Sequence, residues 1–170
     1  KIATPAASSV VINEDGSPKT VFHGTPTNGI DSLEPPVFFS ESRDGADWFM
    51  HGDDSGEVIE AQLDIRSPLD ATTRAGTYEL IQLARAAGVE IESDITRDGN
   101  ETWDFSAPEI AEHSPYEGSN PLDLVYIPTV RERLISEGFD GVKAEDTLES
   151  STHRVWITLR KEQVKITSRS

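Results

Sequence analysis

Two short apolar segments near the start of the chain end in residue types that can hold a flat aromatic amide. The first runs into His23, Gly24 and Thr25, and the second, Val37-Phe38-Phe39, runs into Ser40. A glycine at the end of a strand lets a ligand approach the backbone, whose N–H and C=O can then bind a carboxamide. The His23 imidazole can donate a hydrogen bond to a sugar hydroxyl, while a phenylalanine ring stacks on the amide's ring.

The surrounding sequence predicts the elements that would position these residues. Residues 10–23 are interrupted by a polar turn and are predicted to form a hairpin, and residues 37–40 a short strand. A helix is predicted to follow, and its Trp48 and Phe49 would provide the second wall of a slot for the ring. The histidine, the glycine and the aromatic pair would then meet at the ends of two strands.

Elsewhere the pattern predicts strands and helices without regular alternation, which is typical of an α+β fold. Further strands are predicted over 57–65, 139–143, 154–159 and 163–167, helices over 77–87, near 107–113 and over 128–137, and a loop over 146–152. Residues 89–125 are acidic and broken by Gly and Pro, and are predicted to be mostly loop. We expect a flexible lead-in over 1–9 and one domain over 10–170, acting as a monomer.

Composition excludes several classes of function. The 170 residues carry a formal net charge of −16, which disfavours general nucleic-acid binding, and no cysteine, which excludes disulfides and thiolate catalysis. No apolar run approaches the roughly 20 residues of a membrane span, and no signal peptide is recognisable, so no membrane association is expected. The chain contains no dinucleotide-binding fingerprint and no phosphate-binding loop. It also has no histidine spacing typical of a metal site, so no metal site is predicted. The first residue is Lys, which indicates a piece of a longer polypeptide.

Five segments together resemble the phage-associated ADP-ribosyltransferase domains that occur at the C-termini of MuF-type and polyvalent phage proteins. They follow the order of that family and cover nearly the whole chain except about 71–125. They are Val10–Thr25, Phe38-Phe39-Ser40-Glu41 with Ala46 and Phe49, Ile65-x-Ser67-Pro68-Leu69, Leu134-x-x-x-Gly138-Phe139-Asp140-Gly141-Val142, and Val155–Leu159 with Gln163-Val164-Lys165. The family belongs to the histidine–tyrosine–glutamate class, together with diphtheria-like toxins and poly-ADP-ribose polymerases.

The resemblance implies an α+β ADP-ribosyltransferase fold, in which a split mixed or antiparallel sheet with flanking helices surrounds an NAD cleft. NAD would be a substrate that loses nicotinamide and gives ADP-ribose to an acceptor. His23 would bond the nicotinamide ribose, Gly24 would clamp the carboxamide through its backbone, and Phe38 would stack where the class has a tyrosine. The set that binds NAD would also include Thr25, Ser40, Trp48 and Phe49.

The third catalytic position of the class is not matched directly. The class has a glutamate just before the strand that is predicted here over 155–159, but His153 and Arg154 occupy that place. Glu149 upstream and Gln163 downstream are equal candidates for this role, followed by Glu162. A carboxylate would orient a ribose hydroxyl and help to activate the acceptor, whereas glutamine would only orient.

The resemblance leads us to expect a mono-ADP-ribosyltransferase toxin or effector domain, delivered by a phage or a secretion system into the cytoplasm of a target cell. Its partners would be NAD, a protein acceptor and an immunity or inhibitor protein. The region 89–125 would lie over the cleft and select the acceptor. Two alternatives stay open, an NAD glycohydrolase that uses water as acceptor and a degenerate domain that only binds NAD or a partner.

Overall fold

The chain folds into one seven-stranded mixed sheet with flanking helices, an α+β arrangement, in a computed structural model that describes residues 8–25, 33–48, 56–92, 105–114, 117–148 and 151–170. The strands are β1 Val21–Thr25, β2 Val37–Ser40, β3 Glu57–Leu63, β4 Pro68–Asp70, β5 Gly141–Leu148, β6 Ser151–Thr158 and β7 Val164–Arg169. The α-helices are α1 Arg43–Trp48, α2 Arg74–Ala86, α3 Ile110–His113 and α4 Pro128–Ser136, and the 3₁₀ helices are η1 Pro121–Tyr126 and η2 Lys161–Gln163. No helix in these ranges is long and apolar enough to cross a bilayer.

The order of the strands across the sheet is β4-β5-β6-β2-β1-β3-β7. Neighbouring strands are antiparallel except β4 and β5, which are parallel and are connected through α2, α3, η1 and α4. This long connection places its helices against one face of the sheet, which we call the helical face. The two segments selected from the sequence, β1 and β2, lie side by side in the middle of the sheet.

The contact between β1 and β2 is unusually short, and we call it the seam. Their register contains one pair, Phe22 with Ser40, whereas β2 pairs with β6 from Val37 to Ser40 and β1 with β3 from Val21 to Thr25. Strand β2 ends at Ser40, but on the other side of the pair, towards Gly24 and Phe38, both strands continue without pairing with each other, so the two halves of the sheet separate there. The seam therefore leaves an opening in the middle of the sheet.

The core consists of two apolar clusters, one on each face of the sheet. On the helical face, α2 begins at its cap Thr73, whose side chain accepts a hydrogen bond from Gly76 N, and buries Leu80, Ile81 and Ala84. These side chains pack with buried residues of η1, α4, β5 and β6, among them Leu124, Val130, Leu134, Val142 and Ile157. The opposite face is covered by Val11, Leu33, Phe39, Ile59, Ile65 and Trp156.

Most predicted elements exist, but the predicted loop over 146–152 is wrong. Strand β5 extends to Leu148 and β6 begins at Ser151, with Asp146 paired to His153, whereas 149 and 150 lie outside the described residues. The polar sequence carries no apolar alternation because this part of the hairpin projects beyond the core, where pairing does not require buried side chains. Strand β4 and helix η1 were also not predicted from the sequence.

The region 89–125 is less of a surface loop than the sequence predicts. Phe105, Ala107 and Ile110 are buried in the cluster on the helical face. The end of this region, η1, approaches the seam, whereas the segment 93–104 lies outside the described residues. Much of the region 89–125, which was expected to select an acceptor, is therefore part of the core.

Gln163 is a structural bridge at the end of the sheet away from His23. Its side-chain oxygen accepts hydrogen bonds from Leu159 N and Arg160 N at 3.0 and 2.8 Å, and its amide nitrogen donates to the carbonyls of Asp64 and Asp140 at 3.1 and 2.6 Å. His23 pairs with Ile59, and Asp64 lies five residues further along, about 16 Å at the rise of a strand. The prediction that Gln163 or its neighbour Glu162 acts beside His23 is therefore wrong.

We predict that Gln163→Ala lowers the free energy of unfolding by roughly 2–4 kcal/mol, because four main-chain groups lose their partner in a buried position. Urea unfolding monitored by tryptophan fluorescence would measure the change. The matched control is Glu162→Ala, an exposed neighbour expected to cost less than about 0.5 kcal/mol. Equal effects of the two substitutions would contradict the bridging role.

Candidate active site

A narrow cleft opens on the helical face where β1 and β2 separate, and we call it the seam cleft. Its lining includes Phe22, Gly24, Phe38, Ser40, Ala46 and Asp146. Its volume is about 20 Å³, which is room for about one water molecule. The cleft thus brings together three residues that the sequence selected from two segments, Gly24, Phe38 and Ser40.

His23 borders the seam from the other face of the sheet. Its Nδ1 lies 2.9 Å from the carbonyl oxygen of Phe38, and because a carbonyl can only accept, Nδ1–H is the donor. The imidazole lies 5.7 Å from the Phe39 ring, on the face opposite Gly24. The side chain of His23 therefore joins the two strands at the point where their backbones separate.

Burial fixes the protonation state of His23. Burial lowers the pKa of the imidazole, and the hydrogen bond to Phe38 opposes this shift only in part. The neutral ring donates through Nδ1, so Nε2 is an acceptor. The expectation that His23 donates to a ribose hydroxyl is wrong for this tautomer, since the remaining nitrogen can only accept a hydrogen bond from that hydroxyl.

Gly24 is required by the packing of α1. A Cβ at this position would lie 2.0 Å from the carbonyl oxygen of Ala46, well inside contact distance. Gly45 is similarly constrained, because its Cβ would lie 2.6 Å from Ser40 Oγ. Two glycines thus allow α1 to approach the central strands closely, and the presence of glycine at position 24 has a structural cause besides any ligand.

The hydroxyl residues beside the seam have local structural roles. Ser40 is buried, and its Oγ accepts a hydrogen bond from Ser42 N at 3.1 Å, which stabilises the turn into α1. Its hydroxyl hydrogen can still be donated to a ligand. Thr25 is buried at the end of β1. Phe49, Glu149 and the side chain of Trp48 lie outside the described part of the chain.

Phe38 already has an aromatic partner. The ring of Tyr126, at the end of η1, stacks on it with centroids 5.5 Å apart and planes 13° apart. Tyr126 therefore occupies the position at which a planar ligand would stack on this side of Phe38. No sequence pattern indicates this contact, because the 87 residues between the two positions include the region 89–125, where η1 was not predicted.

Two carboxylates that the sequence did not select interact with each other, and one of them, Asp146, lines the same cleft. Asp146 extends from β5 into its lining, opposite His153 in the hairpin. Asp123 lies on η1 three residues before Tyr126, and residues at this spacing lie on the same side of a 3₁₀ helix. Their negative charges interact with each other. The three-residue spacing of Asp123 and Tyr126 would have placed these two residues on one side of a 3₁₀ helix. This signal was missed because η1 was not predicted from the sequence.

Asp123 is buried at a cost to stability. It is 8% exposed, and within the described ranges no residue donates a hydrogen bond or forms an ion pair with its carboxylate. Burial, and secondly the charge of Asp146, raise the pKa of Asp123 to about 6. A carboxylate that is kept in such a place is a candidate for a functional role.

A larger cleft of about 660 Å³ lies on the other side of η1. Its lining is rich in hydroxyl and amide side chains and includes Thr72, Thr73, Arg74, Asn120, Pro121 and Leu122. One basic and one acidic side chain, Arg74 and Glu145, are among its lining, and α2 begins at its edge. Helix η1 contributes Pro121 and Leu122 to this cleft, and its last residue, Tyr126, stacks on Phe38, which lines the seam cleft.

A group of possible metal ligands lies elsewhere on the surface. Ligand atoms of Glu109, Glu112 and His113 fall within 4.8 Å of one another, and Glu112 and His113 are exposed. They surround a helix of four residues. Exposed carboxylates at this spacing are common without a metal, so the group indicates no particular chemistry.

Comparison with known proteins identifies no relative: the chain matches no known protein family, no curated protein and no solved structure. The function must therefore be inferred from the residues at the seam and their geometry.

We predict that Asp123→Asn stabilises the protein at neutral pH but not in acid. The pKa of Asp123 is about 6 in the folded state and 3.8 ordinarily, so the folded protein binds this proton more tightly. The stability that the proton contributes is fully present below about pH 4 and is lost as the pH rises through about 6. At pH 7.5 the variant should therefore be more stable than the wild type by roughly 3 kcal/mol, and the difference should vanish near pH 4.

Urea unfolding of both proteins at pH 4 and pH 7.5 would measure this difference. The control is Glu79→Gln, which removes an exposed carboxylate on α2 and should change stability little at either pH. An Asp123→Asn effect of the same size at both pH values would show that its cause is packing and not ionisation.

Proposed function

We propose that the protein has an ADP-ribosyltransferase fold and transfers ADP-ribose from NAD to a macromolecular acceptor, with release of nicotinamide. The observation that carries this proposal is that Gly24, Phe38 and Ser40, selected from two separate segments, line one cleft at the seam. His23 borders the same point and is bonded to the carbonyl of Phe38. Residues that bind one ligand must lie together, and three of the proposed set line this cleft, while His23 reaches the seam from the other face of the sheet.

Each of these residues has a group that fits the nicotinamide end of NAD. The Phe38 ring offers an aromatic face to the planar nicotinamide, which is a cation in NAD and is attracted to such a face. The Ser40 hydroxyl can donate to the carboxamide oxygen while Oγ accepts from Ser42 N. The main chain of Gly24 lies at the cleft wall and can approach the amide.

The neutral imidazole of His23 would accept a hydrogen bond from a ribose hydroxyl through Nε2. This role requires the unprotonated ring, and burial favours that form by lowering the pKa of His23. The hydrogen bond from Nδ1 to the Phe38 carbonyl fixes the tautomer and holds the ring in place. Binding of the ribose is therefore tied to the residue that would stack on nicotinamide.

NAD is much larger than the seam cleft, so binding requires a rearrangement at η1. Tyr126 must leave the face of Phe38 for nicotinamide to stack there. The ADP half of NAD would then occupy the larger cleft of about 660 Å³, a size typical of cofactor sites. The N-terminus of α2 would attract its diphosphate.

The proposal is tested by incubating the protein with labelled NAD and a cell lysate, and by comparing the wild type with His23→Asn. An asparagine side chain keeps a donor near the position of Nδ1 for the Phe38 carbonyl but lacks Nε2. We therefore expect a folded variant in which label transfer falls about tenfold or more, the effect of one lost hydrogen bond to a ligand.

The matched control is His113→Asn, on the exposed helix α3, which should transfer label as the wild type does. Label on protein supports a transferase, whereas release of nicotinamide without labelled protein indicates an NAD glycohydrolase. A wild type that neither labels protein nor releases nicotinamide, and shows no heat of binding with NAD in calorimetry, would contradict the proposed function.

A further inference from the structure

Strand β7 forms one edge of the sheet, and we propose that it binds an extended acidic segment of a partner protein, which pairs with β7 as a further strand. The strand order places β3 on one side of β7, and in the described ranges no strand lies on its other side. An uncovered edge presents a row of main-chain groups that an added strand can bind. This inference is independent of the proposed function, because β1 and β3 separate the edge from the seam.

The main chain of β7 has hydrogen-bonding groups that point away from the sheet. At its end, Ser170 N–H donates to the Val58 carbonyl at 2.9 Å, and Val58 N–H donates to the Ser170 carbonyl at 2.7 Å. In an antiparallel ladder such a pair alternates with a pair whose main-chain groups point outward. The N–H and C=O of Arg169, which pairs with Ile59, therefore point away from β3, and no described group bonds to them.

The segment that contains β7 is basic, whereas the chain as a whole is acidic. Residues 160–170 include one acidic side chain, Glu162, and four basic ones, Arg160, Lys161, Lys165 and Arg169. The whole chain has 15 lysines and arginines against 31 aspartates and glutamates. We call β7 with these four basic side chains the basic edge. An acidic ligand that the rest of the surface repels is attracted to it.

The described fold neutralises only part of the charge of the basic edge. Arg169 binds the buried Glu57 at 3.0 Å, and Lys161 binds Glu34 at 3.1 Å in a pair whose two side chains are both exposed. An exposed pair contributes little, so a carboxylate from a partner can compete with it. Lys165 is exposed, and in the described ranges no ion pair includes it. It is therefore the principal contact for an acidic side chain.

The two faces of β7 define the sequence pattern of the partner segment. Val164 and Ile166 are half-buried and pack against the apolar cluster on the face opposite the helices. Lys165 lies between them and, by the alternation of side chains along a strand, projects from the helical face. A partner strand would place apolar side chains beside Ile166 and acidic side chains beside Lys165. The favoured segment therefore alternates apolar and acidic residues.

The same charges disfavour a second copy of this chain at the basic edge. Antiparallel pairing of two β7 strands would bring the basic side chains of one copy beside those of the other. Like charges at opposed positions are destabilising, and lysine on an edge strand is a common means of preventing self-association. A segment with acidic side chains converts this repulsion into attraction, so charge complementarity selects an acidic partner.

The experiment measures, by fluorescence anisotropy at low salt, the binding of a short labelled peptide in which glutamate and valine alternate. Three peptides serve as comparisons. One has the same residues in shuffled order, one has lysine in place of glutamate, and one is methylated at its main-chain nitrogens and cannot form the hydrogen bonds of a sheet. We expect the alternating peptide to bind about tenfold or more tightly than each of the others, and its affinity to fall as salt is raised.

The variant Lys165→Glu tests the proposed contact from the side of the protein. It should bind the alternating glutamate peptide about tenfold more weakly, because an attractive cross-strand pair becomes repulsive. It should also bind the lysine peptide more tightly than the wild type does, a reversal that loss of structure does not produce. The matched control is Arg85→Glu, the same change of charge at an exposed position of α2, which should bind both peptides as the wild type does.

Three results would overturn the inference. Equal binding of the alternating and the methylated peptide would show that charge alone attracts the peptide and that no strand is added. Equal losses in Lys165→Glu and Arg85→Glu would overturn the role of Lys165. Failure of the alternating peptide to bind the wild type would overturn the acidic partner, and if the wild type is then dimeric in sedimentation equilibrium, a second copy is the occupant instead.

Discussion

The separation of β1 and β2 after a single pair is the constraint on which the rest of the structure depends. A central seam is costly, because two strands in the middle of a sheet normally satisfy each other's backbone groups. This protein compensates with side chains and with a helix. His23 donates to the Phe38 carbonyl across the seam, and the main chain of α1 packs directly on Gly24. The opening that remains is the cleft in which the candidate site lies.

The seam also explains why residues with structural roles are the best functional candidates. His23, Gly24 and Ser40 each have a packing or hydrogen-bonding task, and those tasks hold the walls of the cleft in place. A binding site requires rigid support of this kind for its contacts. Asp123 is different, because no described hydrogen bond or ion pair includes its carboxylate and burial raises its pKa to about 6. A structural explanation is sufficient for the first three residues but not for the fourth.

The sequence predicted the central elements well because their signals are local. The apolar segments of β1 and β2, the amphipathic stripe of α2 and the Pro128 start of α4 each depend on a few neighbouring residues. The α+β class followed from them. The projecting hairpin of β5 and β6 was not predicted, because its polar strands are held by pairing and not by burial.

The site was predicted only in part for a similar reason. Gln163 matched a family motif by position, but its role depends on four main-chain groups, two of which belong to the distant residues Asp64 and Asp140. Asp123, Tyr126 and Asp146 reach the seam through the long connection between β4 and β5, and no local pattern indicates where such a connection returns. The sequence thus identified the half of the site that two adjacent strands supply.

The placement of Tyr126 and Asp123 on one short helix couples the two halves of the site. Arg131 donates hydrogen bonds to the carbonyls of Val125 and Tyr126 at 2.8 and 2.9 Å, which holds the C-terminal end of η1 to α4. A ligand that displaces the Tyr126 ring from Phe38 must therefore do so by side-chain rotation or by moving the N-terminal part of η1, which carries Asp123. In the second case, uncovering Phe38 also moves the buried carboxylate relative to Asp146. Binding of the donor would then change the charge that the acceptor meets, and the order of binding would follow from the packing of a single turn.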